Sequence, residues 1–287
     1  MQQVDIKAAH AAHNHAAGYG RLPNPNTRLY ELLLRVRPCQ LAGALKTGLR
    51  IRRRHVVTRT GHTFFVDPVS VLGISLLRDG IHESQMTKLL HTLLRPSDTF
   101  LDVGGNEGYF SVIASTLVAE GAVHCIEPQG RLQPVLRRHF ELNGATSAIA
   151  HRTALSDRNG TIDLFMRPST NTGASSMFRH WKIGSATETV PCTTLDAFFN
   201  ETNLGQVRLM KVDCEGAECL VVAGGADVLK SGCIDFIAME YHRSICGAAR
   251  CESTHSTLVG AGYRLSKPGG QFIYHLPGLE DDLKGLE

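Results

Sequence analysis

Five short, largely apolar segments recur along the chain, and longer amphipathic segments separate them. Apolar runs of this length are typical of strands that are buried on both faces. The segments between them place apolar residues at helical spacing, as at Leu132, Leu136 and Phe140. The five predicted strands are residues 100–103, 122–126, 149–155, 207–212 and 234–239. Strands that alternate with helices predict an α/β fold with a doubly wound, mostly parallel sheet.

Two segments near the C-terminus predict an antiparallel edge to this sheet. Residues 263–265 and 272–274 flank the turn sequence Lys267-Pro-Gly-Gly270, which favours a hairpin. Parallel sheets commonly carry such an edge.

The first 60 residues differ in character from the rest of the chain. Residues 1–28 are predicted to be disordered, and residues 28–46 predict a helix that is interrupted near Pro38. Residues 55–66 predict a hairpin that turns near Gly61. We therefore divide the chain into an N-terminal extension, residues 1–60, and one larger domain, residues 61–287.

A glycine turn follows the first predicted strand. Residues 102–108 have the pattern D-x-G-G-x-x-G, and the residues after Gly108 have helical spacing. Glycines let the backbone turn tightly and approach a ligand closely, and the helix N-terminus offers free N–H groups there. The dinucleotide fingerprint G-x-G-x-x-G is not met, because Asn106 and Tyr109 stand where it needs glycine. This disfavours a nicotinamide-dependent dehydrogenase.

Carboxylates end the predicted strands. Asp102, Glu127, Asp213 and Glu240 occupy the carboxyl ends, where ligands bind in open α/β sheets. Glu127 comes about 25 residues after Asp102, in the position where nucleotide-binding folds place a carboxylate for the ribose hydroxyls.

The composition further limits the kinds of protein that this chain can be. The formal net charge of +3 is too small for a general nucleic-acid reader, and the eight cysteines are scattered without a C-x-x-C motif. The sequence shows no secretory signal at its N-terminus and no apolar run long enough for a membrane span. The fourteen histidines form no metal-binding motif, and no metal site is predicted; a divalent metal held by Asp213 and a neighbouring residue remains an open alternative. These features predict a cytoplasmic protein with reduced thiols.

Basic residues are concentrated in one part of the sequence, between Arg50 and Arg59. This basic cluster is either a solvated strand face or a surface for an anionic partner such as an acidic lipid, a lipid-linked or phosphorylated glycan, or RNA. A peripheral position at the membrane is therefore an alternative to a purely cytoplasmic one. A homo-oligomer is also compatible with the sequence.

From Phe64 to Phe272 the chain resembles the FkbM-type S-adenosylmethionine (SAM)-dependent methyltransferases. The matching segments are Gly80-Ile-His-Glu83, Leu101-Asp-Val-Gly-Gly-Asn-Glu-Gly-Tyr-Phe-Ser111, Ile126-Glu-Pro128, Ala154-Leu-Ser-Asp157, Asn171-Thr-Gly-Ala-Ser-Ser176, Thr194-Leu-Asp196 and Lys211-Val-Asp-Cys-Glu-Gly-Ala-Glu218. One departure is Gly105, where family members usually have alanine; since both residues are small, we expect little effect.

The resemblance implies a class I, Rossmann-like methyltransferase fold, SAM as the cofactor and methyl transfer to an oxygen, commonly a hydroxyl of a sugar or another small molecule. Glu127 would bind the ribose, Gly104 and Asn106 the methionine end, and Leu155 to Asp157 the adenine edge. The predicted cofactor residues are Asp102, Gly104, Asn106, Tyr109, Glu127, Leu155, Ser156 and Asp157.

An alcohol must lose a proton when it is methylated, so a nearby base is expected. Asp213 is the first candidate for substrate orientation or base, His242 the second, and Glu215 belongs to the same group. These carboxylates are equally able to cap the following helix, and His242 to be an ordinary surface histidine. Ser175, Ser176 and His180 are candidates for the acceptor site.

Alternatives remain open at this point. The acceptor could be a carboxylate, an amine or an RNA ribose, although few aromatic residues accompany the basic cluster. A protein of a different class, one that keeps the fold and has lost catalysis, would fail to bind SAM.

Overall fold

A computed structural model describes residues 26–36, 39–167, 172–173, 175–178 and 186–286. The chain divides into two compact units, residues 1–81 and residues 82–287. The predicted disorder of residues 1–28 and the predicted site residue His180 lie almost wholly outside the described residues. The predicted domain boundary after residue 60 stays a prediction.

In the first unit, helices surround a small antiparallel hairpin. Its elements are α1 (Thr27–Arg35), α2 (Cys39–Gly48), β1 (Arg54–Val57), β2 (Thr63–Val66) and α3 (Val71–Asp79). Tyr30, Leu33, Val69 and Ile74 form its apolar core. The structure confirms the interrupted helix and the hairpin. Helix α3 was not predicted; it begins at Ser70, whose hydroxyl accepts a hydrogen bond from Gly73 N.

The basic cluster is partly engaged within this unit. Arg53 donates a hydrogen bond to the carbonyl oxygen of Phe65, and the Arg54 guanidinium lies over the Tyr30 ring. Arg52, Arg54 and Arg59 are exposed. A partner that binds these arginines stays a prediction.

The strands of the second unit follow the predicted alternation closely. They are β3 (Thr99–Val103), β4 (Ala122–Ile126), β5 (Ala148–His151), β6 (Ala154–Leu155), β7 (Gly160–Phe165), β8 (Thr187–Thr193), β9 (Val207–Val212), β10 (Ile234–Met239), β11 (Arg264–Ser266) and β12 (Phe272–His275). Over the described part of the chain, seven of them form one sheet in the order β11-β12-β10-β9-β3-β4-β5. The five from β10 to β5 are parallel, whereas β12 and β11 are antiparallel. This confirms the predicted doubly wound sheet with an antiparallel edge.

The strand order reverses beside β3. The chain runs outward from β3 to β4 and β5, and it returns to place β9 on the other side of β3. In doubly wound sheets ligands bind at the carboxyl ends of the strands at such a switch point. The residues that follow β3 and β9 there are Gly104 and Asp213.

Alternation along the central strands sorts side chains between the two faces of the sheet. Leu101 and Val103 of β3 and Met210 and Val212 of β9 belong to the main apolar core. Asp102 and Lys211 are register partners and therefore lie together on the opposite face.

Helices connect the strands. They are α4 (Ser84–Leu93), α5 (Tyr109–Leu117), α6 (Gln133–Asn143), α7 (Leu195–Thr202), α8 (Glu218–Ala223), α9 (Ala226–Ser231), α10 (Arg243–Cys246) and α11 (Ala248–Gly260). Gly224 and Gly225 separate α8 from α9. An added Cβ at Gly224 would lie 2.1 Å from the carbonyl oxygen of Ser156, so the close approach requires glycine here.

The predicted third strand is wrong in its extent. Residues 149–155 form two strands in different sheets, because the chain leaves β5 at Arg152 and pairs with β8 from Ala154. The Arg152 guanidinium lies 3.0 Å from Glu188 of β8. Strand β8 itself was not predicted. Its Pro191 is tolerated because β6 pairs only with Cys192 and Thr193.

No helix within the described ranges is long and apolar enough to cross a membrane.

A stacked pair of histidines gives this unit a pH-dependent stability. His124 Nδ1 lies 3.0 Å from His151 Nε2, so one ring must remain neutral to accept the hydrogen bond. Burial and the His124 charge lower the pKa of His151 to about 4. The unfolded chain therefore binds more protons between about pH 6.5 and pH 4, and stability is complete above this window and lost within it.

We expect the free energy of unfolding to fall by about 1–2 kcal/mol from pH 7 to pH 4 through this pair, after allowance for solvent at a half-buried site. Urea unfolding across this pH range would measure it. His151→Asn should flatten the dependence, and the same change at the exposed His91 should not. Equal slopes in all three proteins would contradict the assignment.

Candidate active site

The glycine turn after β3 is fixed by backbone contacts on both sides. The N–H groups of Gly104 and Gly105 donate to the carbonyl oxygen of Ile126, at 2.9 and 3.0 Å. Gly104 has a φ of +82°, and an added Cβ would lie 1.9 Å from the carbonyl oxygen of Asp213. Only glycine fits there, so the turn lies directly against the chain that follows β9.

Glu127 lies buried beneath this turn. Its carboxylate accepts hydrogen bonds from the backbone N–H groups of Asn106, at 2.9 Å, and Gln129, at 2.8 Å. Burial raises the pKa of Glu127 to about 7, although these hydrogen bonds oppose the shift. Each oxygen keeps a free lone pair, so the carboxylate can still accept hydrogen bonds from a ligand.

Asp102 occupies the end of β3 on the other face. It is fully buried, and Oδ2 accepts a 2.6 Å hydrogen bond from Ser111. Oδ1 has no hydrogen-bond partner among the described residues, and Lys211 Nζ lies 3.7 Å away. Burial raises the pKa of Asp102 against the opposing charge of Lys211.

Lys211 links the two central strands. Its ammonium lies 3.1 Å from Asp213 Oδ2, and its side chain is almost fully buried. Burial disfavours the charged lysine, but the carboxylates of Asp213, Asp102 and Glu83 outweigh that effect and raise its pKa.

A polar network beside Glu127 was not predicted as part of the site. Arg131 donates to Gln129 Oε1, at 2.7 Å, and Ser175 donates to the same oxygen, at 3.1 Å. Thr172 donates to Asn106 Oδ1, at 3.0 Å. Gln129 and Arg131 come two and four residues after Glu127. Their position just after a strand that ends in a site residue is the feature of the sequence that could have identified them.

The described hydroxyls of the 171–176 segment contact the cofactor side of the site as well as the catalytic candidates. Ser176 donates a 2.6 Å hydrogen bond to the carbonyl oxygen of Glu215, and Ser175 belongs to the network beside Glu127. Their proposed role in the acceptor site stays a prediction.

Tyr109 and the segment from Leu155 to Asp157, which were predicted to bind the cofactor, have surroundings of a different kind from those of Glu127. Tyr109 is buried at the start of α5, where its hydroxyl accepts a 3.1 Å hydrogen bond from His82 N. Leu155 ends β6, which forms a three-stranded sheet with β8 and β7, and it packs into an apolar core. Ser156 and Asp157 follow it directly. The role of these three residues at the adenine stays a prediction.

The catalytic candidates do come together. His242 Nε2 lies 3.8 Å from Asp213, 3.7 Å from Glu215 and 3.8 Å from Glu240. Its other nitrogen, Nδ1, donates a 2.9 Å hydrogen bond to Glu218. Glu218 is buried and also accepts from the backbone N–H groups at 214 and 216. Glu218 was quoted only as part of a motif, and the structure identifies it as the residue that orients His242.

The several carboxylates in this cluster raise the pKa of both His242 and Glu215. Burial would lower the pKa of His242, but the hydrogen bond to Glu218 and the charges of Glu218, Glu215 and Asp213 raise it to about 9. Burial, with the neighbouring carboxylates, raises the pKa of Glu215 to about 7 in spite of His242. At neutral pH the cluster therefore contains a histidine cation and a carboxyl group near its midpoint.

A cavity of about 300 Å³ opens beside this cluster. Its lining includes Lys211, Asp213 and Glu240 at the strand ends, with the rings of Tyr241 and Phe272 and the carboxylate of Glu83. Asp213 thus belongs to the cavity through its side chain and lies against Gly104 through its carbonyl group. A molecule in the cavity would meet a group held by the glycine turn.

Three residues of the cluster around His242 could together bind a metal ion. Asp213, Glu240 and His242 each place one ligand atom within 4.8 Å of the other two. Such a set suits a divalent cation. The predicted lack of a metal site stays a prediction.

Comparison with known proteins decides the family. The model of the FkbM methyltransferase domain matches residues 102–265, which is more than half of the chain. The chain belongs to this family. The predicted class, a SAM-dependent methyltransferase, is thereby confirmed.

Similar proteins have related names. This FkbM methyltransferase is 26% identical over 172 residues to the 2-O-methyltransferase NoeI of Sinorhizobium fredii, which covers 54% of this chain and 67% of NoeI. It is 27% identical over 202 residues to the hexuronic acid methyltransferase AglP of Haloferax volcanii, covering 70% of this chain and 80% of AglP. A SAM-dependent methyltransferase from Aquifex aeolicus aligns with a TM-score of 0.38 and 12% identity, over 67% of this chain and 87% of that one.

The glycine that departs from the usual family pattern has a structural reason. An added Cβ at Gly105 would lie 2.2 Å from Cys125 Sγ, in the fully buried layer beneath the turn. The departure was expected to weaken the resemblance little, and the family match confirms that. Within this chain, however, the Cys125 side chain occupies the space of an added methyl group.

We expect Gly105→Ala to lower the free energy of unfolding by about 1–3 kcal/mol through overpacking. Cys125→Ala removes the opposing sulfur, so the double variant should recover much of that loss. Urea unfolding of the four proteins would give the coupling free energy. Purely additive effects would show that the sulfur does not limit this space.

Proposed function

We propose that this FkbM methyltransferase transfers a methyl group from SAM to a hydroxyl of a sugar or glycan. The observation that carries the proposal is the position of Asp213, which joins the glycine turn to a cavity lined by polar and aromatic side chains. NoeI and AglP are named as a 2-O-methyltransferase and a hexuronic acid methyltransferase, which supports a sugar acceptor. The name of AglP fits a sugar carboxylate as well as a sugar hydroxyl, whereas NoeI is named for a hydroxyl position. Methylation of an amine or an RNA ribose has no comparable support.

The residues around the turn fit SAM. The backbone of the glycine turn would hold the methionine end, and Asp102 has a buried oxygen without a hydrogen-bond partner among the described residues. Glu127 presents the carboxylate that ribose hydroxyls require. When bound, SAM supplies an electrophilic methyl group on a positively charged sulfur.

The protein's part is to position the acceptor oxygen and remove its proton. Alignment of two reacting groups supplies much of the rate in such a displacement. The oxygen gains a methyl group and loses its proton to a carboxylate, either Asp213, which lines the cavity, or Glu215, which lies beside His242. A pKa of about 7 suits Glu215 to this step.

His242 takes a different role in this proposal. With a pKa of about 9 it carries a proton at neutral pH and is a poor base. The Glu218 hydrogen bond fixes the ring, so that Nε2–H faces the three carboxylates. His242 therefore holds the carboxylates and the acceptor hydroxyl in place.

Glu127 gives the first test of this proposal. Glu127→Gln should weaken SAM binding about thirtyfold, because a hydrogen bond to a charged group contributes about 2 kcal/mol. Wild-type affinity should rise from pH 6 to pH 8, since hydroxyl donors favour the ionised carboxylate, whose pKa is about 7 without ligand. The variant should lack this dependence.

Calorimetric titration of SAM would measure both effects, with NAD as a ligand that should not bind. Glu141→Gln, the same change at an exposed site, is the matched control. A folded wild-type protein that does not bind SAM would favour the catalytically inactive alternative.

The acid–base assignment predicts a bell-shaped pH profile. With saturating SAM, kcat/KM for the acceptor sugar should rise through about pH 7 as Glu215 ionises, and fall above about pH 9 as His242 loses its proton. Glu215→Gln should lower the rate about 100-fold and remove the acidic limb, and His242→Gln should remove the basic limb. Formation of S-adenosylhomocysteine would measure the rate. An acidic limb that persists in Glu215→Gln assigns the base to Asp213.

We further propose a cytoplasmic enzyme that contacts the membrane surface peripherally. The seven cysteines from Cys125 to Cys251 are free, which suits a reducing compartment. The exposed arginines at 52, 54 and 59 support an anionic surface as partner.

A further inference from the structure

The charges around the acceptor cavity are strongly unbalanced. Three carboxylates line it, those of Glu83, Asp213 and Glu240, against the single ammonium of Lys211. The side chains of Glu83 and Glu240 are 41% and 55% exposed, so they lie at the open rim. A molecule that enters must pass these two carboxylates.

Lys211 is not available to an anionic ligand. Its ammonium is buried and already lies 3.1 Å from Asp213 and 3.7 Å from Asp102. Binding a ligand carboxylate would add a further negative charge to a lysine that two aspartates already neutralise.

Among the residues that the structure describes, the other cations near the cavity are also paired or lie outside it. His242 faces Asp213, Glu215 and Glu240 at 3.7–3.8 Å. The His82 ring lies 3.1 Å from Glu83. Lys267 stacks on the Phe272 ring, with its ammonium 4.4 Å from the ring centre, and is not among the residues that line the cavity.

The remaining lining suits an uncharged ring. Tyr241 and Phe272 pack edge to face with centroids 5.2 Å apart, and the Tyr241 hydroxyl is held by Tyr274 at 2.8 Å. Apolar walls with a few fixed polar groups are typical of small-molecule sites. Carboxylates accept hydrogen bonds from neutral hydroxyl groups and from amines without electrostatic cost.

We propose that the acceptor is an uncharged sugar or an amino sugar, and that Glu83 and Glu240 exclude sugar acids and sugar phosphates. The assignment rests on the proposed function and names the substrate class of the same cavity. It separates this enzyme from AglP, whose name specifies hexuronic acid. Like charges brought together at an interface disfavour binding and serve specificity.

Matched acceptors would test this assignment directly. The methyl glycosides of glucose, galactose and mannose would be compared with their 2-amino, uronic acid and 6-phosphate counterparts, with SAM carrying a radiolabelled methyl group. The wild-type enzyme should methylate the best neutral or amino sugar at least about tenfold faster, as kcat/KM, than its acidic counterpart. Calorimetry on the enzyme loaded with S-adenosylhomocysteine would give the same ratio for binding.

The rim carboxylates should account for that ratio. Glu83→Gln should lower it severalfold, and Glu83→Gln combined with Glu240→Gln should lower it further, whereas Glu141→Gln should leave it unchanged. Added salt should also reduce the ratio, because the rim is exposed to solvent.

Each other outcome would overturn the assignment. Equal or faster methylation of uronic acids or phosphates would do so, as would a wild-type ratio that Glu83→Gln and the double variant leave intact. Methylation of acids only with Mg²⁺, and not with EDTA, would show that the carboxylates bind a metal instead. Tight SAM binding without use or binding of any sugar would reject the sugar class, whereas failure to bind SAM would reject the proposed function itself.

Discussion

A lysine buried between two aspartates is the interaction on which the site depends. Lys211 and Asp102 are register partners on neighbouring strands, and Asp213 follows Lys211 by two residues. Removing one partner of a buried ion pair costs about 3–5 kcal/mol, because the other charge is left without compensation. Strand β3, strand β9 and the two turns that follow them are therefore fixed together. The close contact of Gly104 with the Asp213 carbonyl group depends on the same register.

The excess of negative charge around this lysine has consequences at each functional group. It keeps Lys211 and His242 protonated, and with burial it raises the pKa of Glu215 towards neutrality. Two carboxylates with different environments can then take different roles, as acid–base catalysis requires. The same charge reaches the cavity rim at Glu83 and Glu240. In the function that we propose, one electrostatic imbalance would therefore serve both proton transfer and acceptor selection.

The sequence predicted correctly those elements that depend on residues close together in the chain. Its predictions were wrong or incomplete where contacts between distant segments determine the structure. Glu127 was recognised because it ends an apolar run at a characteristic distance from Asp102. The strand expected over residues 149–155 was wrong in its extent, because its second half pairs with the distant strand β8. Glu218 and Gln129 were missed as site residues, since only the folded chain brings them to His242 and Ser175. The contact that an added Cβ at Gly105 would make with Cys125 also joins residues that are distant in sequence.

By itself the sequence determined the alternating strands and helices, the glycine turn and the carboxylates that end the strands. It could do so because hydrophobic period and turn chemistry act between near neighbours. Only the tertiary structure decided which carboxylates share Lys211, that His242 is held by Glu218, and that the cavity carries more negative than positive charge. Those properties arise from strand order and register, which bring residues more than a hundred positions apart, such as Asp102 and Lys211, within a few ångströms.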